Sequence, residues 1–166
     1  MNEQLRIFGD VEKAMQLQRA VLDGYPGGKD VGLILDEWGV WDQIPEDDQK
    51  KYGALWQQST MRSALAAGLG LNLFNRMAKQ LRMCNIAQIV NVLQSLLLTE
   101  GPVSDKCVRT TTYYAFQLFK PHRSKTAIEI ESPDGEREAV SASASKDDKT
   151  LVLSFVNPSG GPGCPG

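Results

Sequence analysis

The stretch from Val31 to Trp41, which reads V-G-L-I-L-D-E-W-G-V-W, constrains the fold of this chain more than any other. Its apolar start, Val31 to Leu35, is typical of a strand buried on both faces of a parallel sheet. Asp36 and Glu37 follow at once. Burying an unpaired carboxylate costs roughly several kcal/mol, so acids at this point require a partner or a function. In parallel α/β proteins, active sites lie at the carboxyl ends of the strands.

The composition permits one or two folded domains and excludes several functions. A chain of 166 residues that is 42% hydrophobic can bury a core. Its 18 basic and 20 acidic residues give no electrostatic basis for binding nucleic acid or an anionic membrane. The widely spaced Cys84, Cys107 and Cys164 match no metal-ligand pattern. We therefore expect no metal, no cofactor, no nucleic-acid or membrane partner, and free thiols in a reducing cytoplasm.

Helical and strand patterns alternate over the first 123 residues, which predicts an α/β fold. The single histidine, His122, stands beside a proline where a helix ends, which favours a surface or capping role. The predicted elements are a helix over 10–22 capped by Asp10, the strand over 31–35, a polar loop over 44–51, a helix over 55–77 whose small residues permit close packing, a strand over 81–85, and a helix over 112–119 capped by the preceding threonines.

Three amides recur at three-residue spacing in the apolar segment that follows the second predicted strand. They are Gln88, Asn91 and Gln94. Amides embedded in apolar sequence must find hydrogen-bonding partners. They either tie a loop to the core or face a polar ligand such as a sugar.

The hydrophobic period changes to two after residue 125. Alternation over 127–131, 139–145 and 151–156, with a turn over 133–135, predicts a β-meander and a domain boundary near Arg123. The glycine- and proline-rich tail is predicted to be disordered. A two-stranded parallel sheet cannot cover both its faces, so we expect the chain to be one end of a larger protein.

Four segments of the chain resemble, in family order, the C-terminal part of α-L-arabinofuranosidases of glycoside hydrolase family 51. Together they cover most of residues 30–131. The segments are G-L-I-L-D-E-W-G-V-W (32–41), Q-Q-S-T-M-R-S-A-L-A-A-G-L-G-L-N-L-F-N (57–75), R-M-C-N-I-A-Q-I-V-N-V-L-Q-S-L-L-L-T (82–99) and T-Y-Y-A-F-Q-L-F-K-P-H (112–122).

The resemblance implies a (β/α)8 TIM barrel followed by a β-sandwich, both incomplete in this chain. Residues 31–35 and 82–85 would be the seventh and eighth barrel strands. Three regions are thus expected: the C-terminal part of the catalytic barrel over 1–123, a partial β-sandwich domain over 124–158, and a disordered tail over 159–166.

The resemblance also implies a function, namely removal of terminal α-L-arabinofuranosyl groups from hemicellulose and pectin with retention of configuration. Glu37 maps onto the family's nucleophile, Trp41 onto a residue that lines the sugar site, and Gln88 onto one that binds the arabinose ring. For Asp36 we expect a hydrogen-bonded role in orienting the loop. For Asn91 and Gln94 we expect a structural role, in which their side chains tie a loop to the core. The partner would be an arabinofuranosyl-containing oligosaccharide or polysaccharide, and the full-length parent is expected to be a homo-oligomer.

The chain departs from the family in one decisive respect. The family's acid/base glutamate follows an asparagine at the end of the fourth strand, and this sequence has no such strand end. Because one carboxylate cannot act both as nucleophile and as acid/base, we expect no arabinofuranosidase activity from this polypeptide alone. The alternatives are a non-catalytic carbohydrate-binding or interaction module, with Trp38 and Trp41 as a stacking platform, and a different barrel hydrolase with a similar strand end.

Overall fold

The structure, a computed structural model, describes residues 3–100, 105–131 and 140–158. It is a small α/β unit with few strands. A parallel pair, an antiparallel pair and an antiparallel three-stranded meander make up its sheets within this range. The elements are α1 (Glu3–Asp23), β1 (Leu33–Trp38), α2 (Glu46–Tyr52), α3 (Met61–Arg76), β2 (Leu81–Ile86), β3 (Leu97–Thr99), β4 (Cys107–Arg109), α4 (Thr111–Phe119), β5 (Thr126–Ile128), β6 (Ser141–Lys146) and β7 (Leu151–Val156).

The main core lies between one face of the β1–β2 sheet and helices α1, α3 and α4. Trp38, at the end of β1, is 7% exposed. Its ring centroid lies 4.9 Å from that of Phe74 and 5.9 Å from that of Phe116. The buried members of this core are Met15, Trp38, Ala67, Leu73, Phe74, Met77, Leu81 and Ala115. The end of β1 is therefore fixed to α3 and α4.

The prediction that the first strand is buried on both faces is wrong for this structure. Leu33 and Leu35 pack against the core, whereas Ile34 between them is 57% exposed. Met83, which pairs with Ile34 across the parallel ladder, is also exposed. Because successive side chains of a strand point to opposite faces, the helices cover one face of this two-stranded sheet. The second strand, predicted over 81–85, is confirmed as β2.

The glycines of α3 allow the close packing that the sequence predicts for this helix. A Cβ atom built on Gly70 would lie 2.9 Å from ring carbons of Phe8 and Trp38. One built on Gly68 would lie 2.8 Å from Cγ2 of Val156. Gly70 thus lets β1 and α1 approach one side of α3, and Gly68 lets the meander approach another.

The helix boundaries differ from the predicted ones. The first helix begins at Glu3, so Asp10 lies inside it instead of capping it and forms an exposed ion pair with Lys13 at 3.8 Å. Good helix formers over 3–6 extend the helix beyond Asp10, although Gly9 is a poor one. The third helix begins later than predicted because Thr60 and Ser63 form a capping box at its start.

The polar segment predicted as a loop over 44–51 contains helix α2. No residue of this helix is buried, which agrees with the expectation that the segment is too polar to pack. Its acidic first turn and basic last turn complement the helix dipole. Lys50 Nζ also lies 2.7 Å from a carboxylate oxygen of Glu46, one turn earlier.

The fourth helix is confirmed, but the predicted role of His122 is wrong. Thr110 caps α4 by accepting a hydrogen bond from the backbone N–H of Tyr113. His122 follows in a short 3-10 turn and is buried, where burial lowers its pKa. Its Nδ1 lies 2.8 Å from the hydroxyl oxygen of Ser145 on β6. A residue expected at the surface therefore links α4 to the meander.

The β-meander is confirmed, and its serine face is the inner one. The Asn72 amide of α3 donates to the Ser141 carbonyl at 2.9 Å. Its carbonyl oxygen accepts from the Ser143 and Ser154 hydroxyls at 2.8 and 2.6 Å. On the opposite face of β7, the side chain of Phe155 is 66% exposed. Hydrogen bonds from Asn72 therefore hold the meander on α3, together with the apolar contact of Val156 with Ala66 and Leu69.

Two further predictions fall wholly or partly outside the described residues. The turn over 133–135 and the tail over 159–166 belong to segments that the structure leaves undescribed. Cys84 and Cys107 are free thiols, and Cys164 lies in that tail. No helix in the described part of the chain is long and apolar enough to cross a membrane.

Candidate active site

Glu37 and Trp41 line one cleft at the carboxyl end of β1. Glu37 is exposed and is the last residue but one of the strand. The cleft has a volume of about 390 Å³, within the range of ~300–1,000 Å³ typical of small-molecule sites. Apolar side chains form most of its wall, including Phe8 and Val11 of α1. Among the described residues that line it, Glu37 is the one carboxylate.

Trp41 stands at the mouth of this cleft because the backbone before it is held in place. It lies three residues beyond the end of β1 and is 59% exposed. Val40 is buried, so its backbone N–H and C=O require partners. Both find them in side-chain amides. The indole is therefore presented to solvent from a fixed stretch of chain.

The two amides come from distant parts of the sequence. Gln94, which is fully buried, accepts from the Val40 N–H at 2.7 Å and donates to the Ser63 carbonyl at 2.5 Å. Gln57 donates to the Val40 carbonyl at 2.9 Å and accepts from the Asp42 N–H at 3.1 Å. We call Gln57 and Gln94 the amide clamp. Loop 39–42 is thereby tied to the segment before α3 and to the segment after β2.

Sequence reasoning found one half of this clamp and missed the other. The structural role expected of Gln94 is confirmed, and that of Asn91 is confirmed by its hydrogen bonds with Thr99 at 2.9 and 2.7 Å. Gln57 was expected inside a helix and received no role. Gln57 is a buried residue in a largely exposed stretch, and nothing in the local sequence distinguishes it from its exposed neighbour Gln58.

The structure places Gln88 next to the candidate site but not in its lining. The Ala87 N–H donates to the Trp38 carbonyl at 2.9 Å, which brings the ends of β1 and β2 side by side. Gln88 follows directly and is exposed. It is not among the described residues that line the Glu37 cleft. The structure thus brings Glu37 and Trp41 together and sets Gln88 on the neighbouring strand end.

Asp36 and Trp38 do not have the roles that the sequence predicted. The side chain of Asp36 is exposed and makes no hydrogen bond or ion pair with the described residues, so the predicted orienting contact is not seen. Trp38 is buried in the core and cannot form a surface stacking platform together with Trp41. Within the described residues, no group of three or more histidine, cysteine or acidic side chains is placed to hold a metal ion.

Comparison with known proteins identifies the family of the chain. Residues 36–159 match the model of the α-L-arabinofuranosidase C-terminal domain. The chain belongs to this family. The match begins at Asp36, directly before the candidate nucleophile, so the α-L-arabinofuranosidase C-terminal domain includes all three candidate site residues.

Individual relatives agree with this assignment. The intracellular exo-α-L-arabinofuranosidase of Bacteroides ovatus is 40% identical over 122 residues, which are 74% of this chain and 23% of that protein. A probable α-L-arabinofuranosidase C of Aspergillus niger is 32% identical over 126 residues, 72% of this chain and 24% of that protein. The crystal structure of the GH51 arabinofuranosidase from Xanthomonas axonopodis pv. citri superposes with a TM-score of 0.73 at 34% identity, covering 93% of this chain and 31% of that one.

These comparisons confirm the resemblance to family 51 arabinofuranosidases that the sequence motifs indicated. The chain spans about a quarter of the length of these curated relatives. It is the C-terminal part of an arabinofuranosidase fold.

Proposed function

We propose that this chain carries the nucleophile half of the active site of a retaining, non-reducing-end α-L-arabinofuranosidase. The observation that carries the proposal is the position of Glu37, which stands at the carboxyl end of a parallel strand in a cleft that it shares with Trp41. Membership of the α-L-arabinofuranosidase C-terminal domain family supports it. The substrate would be an arabinofuranosyl-containing oligosaccharide or polysaccharide.

In this proposal Glu37 forms a covalent intermediate. Its carboxylate attacks the anomeric carbon of the terminal arabinofuranosyl unit, and the glycosidic bond breaks as the leaving oxygen receives a proton from a general acid. Water, activated by the same group now acting as base, then hydrolyses the ester. Trp41 would provide a flat apolar wall for the furanose. Gln88, at the end of β2, would bind the ring hydroxyls, since an amide can both donate and accept.

The general acid is the group that the described cleft does not supply. Retaining glycosidases place their two carboxyl groups about 5–5.5 Å apart. Within the described lining, Glu37 has no carboxyl neighbour. We therefore expect the isolated chain to bind or label weakly and not to turn over substrate.

We also propose that the chain contributes to two domains. In the first, over 1–123, β1, α3, β2 and α4 would be the last strands and helices of a (β/α)8 barrel. Two adjacent parallel strands joined by a crossover that contains α2 and α3 support this part. In the second, over 124–158, the meander would be part of a β-sandwich. The parent protein would be a cytoplasmic homo-oligomer. The location is supported by the Bacteroides ovatus relative, which is named an intracellular enzyme.

A chimaera tests the role of Glu37 with the missing group supplied. The matching segment of the Bacteroides ovatus enzyme is replaced by this chain, and hydrolysis of an aryl α-L-arabinofuranoside is measured. We expect turnover in the chimaera and none in the isolated chain. Glu37→Gln should lower kcat about 10⁴-fold or more, as loss of a nucleophile does. Glu46→Gln, an exposed carboxylate-to-amide change on α2, should leave kcat within about twofold because Glu46 does not line the Glu37 cleft.

Azide separates a nucleophile from a merely structural carboxylate. In the Glu37→Gly chimaera, azide should restore turnover and yield the arabinofuranosyl azide of inverted, β configuration, because it attacks from the side that Glu37 vacates. A mechanism-based arabinofuranosyl inactivator should label Glu37 in the unmutated chimaera. Full activity of Glu37→Gln would refute the proposal. Reversible sugar binding that is lost in Trp41→Ala, with no labelling of Glu37, would support the non-catalytic carbohydrate-binding module.

A further inference from the structure

The single histidine of the chain lies where the helical part passes into the meander. His122 ends the 3-10 turn that follows α4, and β5 begins four residues later. Between them, Ser124 has a backbone φ of 60°, in the left-handed region that residues other than glycine seldom adopt. The Lys125 N–H donates to the His122 carbonyl at 3.3 Å, which closes this bend. Residues 123–125 therefore form a short, sharply turned connection, which we call the hinge.

A buried side-chain contact crosses the hinge. Nδ1 of His122 lies 2.8 Å from the hydroxyl oxygen of Ser145 on β6, and the imidazole stacks on Phe119 of α4 with ring centroids 5.6 Å apart. Only 8% of His122 and 3% of Ser145 are exposed. The other ring nitrogen, Nε2, is also buried and has no hydrogen-bonding partner among the described residues. We call the pair of His122 and Ser145 the latch.

Other attachments hold the meander at a distance from the latch, and they do not respond to pH. Asn72 and Arg76 of α3 donate to the carbonyls of Ser141 and Ala142, which precede Ser145 by four and three residues on β6. At the rise of a strand, four residues span roughly 13 Å. Amide and guanidinium groups do not titrate between pH 5 and pH 8, whereas an imidazole does. A change of pH in this range therefore acts on one end of β6 and not on the other.

The surroundings of the latch disfavour a charged imidazole. The ionisable groups on α4, on the 3-10 turn, on the hinge and around the end of β6 carry a net positive charge. They are Tyr113, Tyr114, Lys120, Arg123, Lys125, Lys146 and Asp147. The carboxylate among them, Asp147, is already paired with Lys125, which holds the pKa of Asp147 at about 2. Protonated His122 would carry two N–H donors, and its Nε2 would find no acceptor among these groups.

We propose that protonation of His122 opens the latch, so that the meander moves away from α4 about the hinge while α3 keeps hold of its other end. Docked against Ser145, the imidazole resists a proton because it is buried. Once released into water, it takes up a proton with the ordinary pKa of about 6.5. The released state binds more protons than the docked state, so acid favours release. This inference goes beyond the proposed function and does not rest on Glu37.

The size of the effect follows from the same linkage. If the docked imidazole stays neutral and the released one has a pKa of 6.5, the ratio of released to docked chains rises about 30-fold between pH 7.5 and pH 5.0. Partial protonation of the docked form reduces this factor. We therefore expect a rise of about 10- to 30-fold.

A thiol introduced on the inner face of the meander measures the release. Ala127, half-buried on β5, is the cross-strand partner of Ser145 and shares its face of the sheet. The Ala127→Cys chain is treated with dipyridyl disulfide, which reacts with thiols even in acid, at pH values from 7.5 to 5.0. Peptide mass spectrometry gives the rate at position 127, and this rate is divided by that of the exposed Cys107 in the same chain. The division removes the pH dependence that all thiols share.

The rise in this ratio should follow the titration of His122. One histidine gives one set of imidazole signals, so proton NMR reports its titration directly. We expect the NMR midpoint and the midpoint of the thiol ratio to coincide. Far-ultraviolet circular dichroism should stay native at pH 5.0, because the release is local.

Three variants of the Ala127→Cys chain separate the latch from other causes. His122→Gln keeps a hydrogen-bonding side chain that does not titrate, so the ratio should change by less than about twofold over the same range. Ser145→Ala removes the partner of His122 and should raise the ratio at pH 7.5 by about 2- to 10-fold. Asp147→Asn breaks the ion pair with Lys125 but leaves His122 in place, and the rise in acid should persist.

The results that overturn the inference are equally specific. They are a ratio that stays within about twofold from pH 7.5 to pH 5.0, a rise whose midpoint differs from the NMR titration, an undiminished rise in His122→Gln, and global unfolding at the same midpoint. If His122→Gln does not fold, the agreement of the two midpoints in the chain that retains His122 still decides. Turnover in the Glu37→Gln chimaera is measured separately, so failure of the latch leaves the proposed function standing.

Discussion

Gln94→Leu should destabilise the chain by about 2–4 kcal/mol, although leucine has nearly the volume of glutamine. The Gln94 side chain is fully buried and makes hydrogen bonds to Val40 and to Ser63. Leucine leaves the buried Val40 N–H without its partner, which costs about 1–3 kcal/mol, and loss of the Ser63 bond costs about 0.5–1.5 kcal/mol. Domains of this size have a net stability of about 5–15 kcal/mol, so the variant should still fold.

Urea unfolding followed by circular dichroism measures this change. We expect the midpoint to fall while the slope of free energy against urea stays constant, because the surface exposed on unfolding is unaltered. Gln49→Leu makes the same substitution at an exposed site whose amide donates to Ile44, and should change stability by no more than about 0.5 kcal/mol. If the two variants were equally stable, the amide clamp would have no energetic role and the fixed position of Trp41 would need another cause.

Three further predictions concern packing, pH and the meander. Gly70→Ala should lower stability by about 1–3 kcal/mol because its Cβ would press on Phe8 and Trp38, whereas Gly9→Ala, with open space around it, should raise stability by about 0.5–1 kcal/mol; thermal melts compare them. Burial lowers the pKa of His122 in the folded chain below its ordinary value of 6.5. The unfolded chain therefore binds more protons, and the free energy of unfolding should fall as pH drops through and below 6.5. In urea titrations at several pH values, His122→Gln should lack this dependence of stability on pH. Asn72→Leu should cost about 2–4 kcal/mol, and a double-mutant cycle with Ser143→Ala should give a coupling of about 0.5–3 kcal/mol; simple additivity would contradict the hydrogen-bonded interface.

The elements that the sequence predicted well are those whose signal is local. The apolar run before Asp36, the threonines before α4 and the alternation over 151–156 each need only neighbours in sequence, and all three correspond to observed elements. The position of Glu37 at a strand end follows from the first of these. Its presence in one cleft with Trp41 follows from their separation by only three residues.

What could not be predicted depends on partners far along the chain. In the sequence Gln57 resembles any other polar helix residue. Its role follows only from its hydrogen bonds to the backbone of Val40 and Asp42 in loop 39–42. His122 has no sequence feature that distinguishes a buried partner of Ser145 from a surface cap. In both cases burial is decided by tertiary packing, which a window of local sequence does not contain.

The meander shows the same limit for the choice of face. Its alternating pattern predicts two faces, one with serines and one with apolar residues such as Phe155, and the usual rule would turn the apolar face inward. The structure turns the serines inward because Asn72 and Asn75 on α3 supply hydrogen-bonding partners at 2.6–3.1 Å. Burying a hydroxyl costs little when its hydrogen bond is kept.

In the proposed mechanism the exposure of Glu37 is a second obstacle, independent of the general acid that the described lining of its cleft does not supply. A carboxylate in contact with water is well solvated, and its attack on an anomeric carbon must overcome that hydration. A protein surface that covered Glu37 would exclude bulk water from the carboxylate. It would also strengthen the electrostatic stabilisation of the transition state, because charges interact more strongly away from bulk solvent. Trp41 and the amide clamp fix one side of such a surface before substrate arrives. Catalysis in the proposed site therefore requires two contributions from the surface that faces Glu37 and Trp41. One is the acid/base group, which acts in both steps of the double displacement, and the other is the exclusion of bulk water from the Glu37 carboxylate.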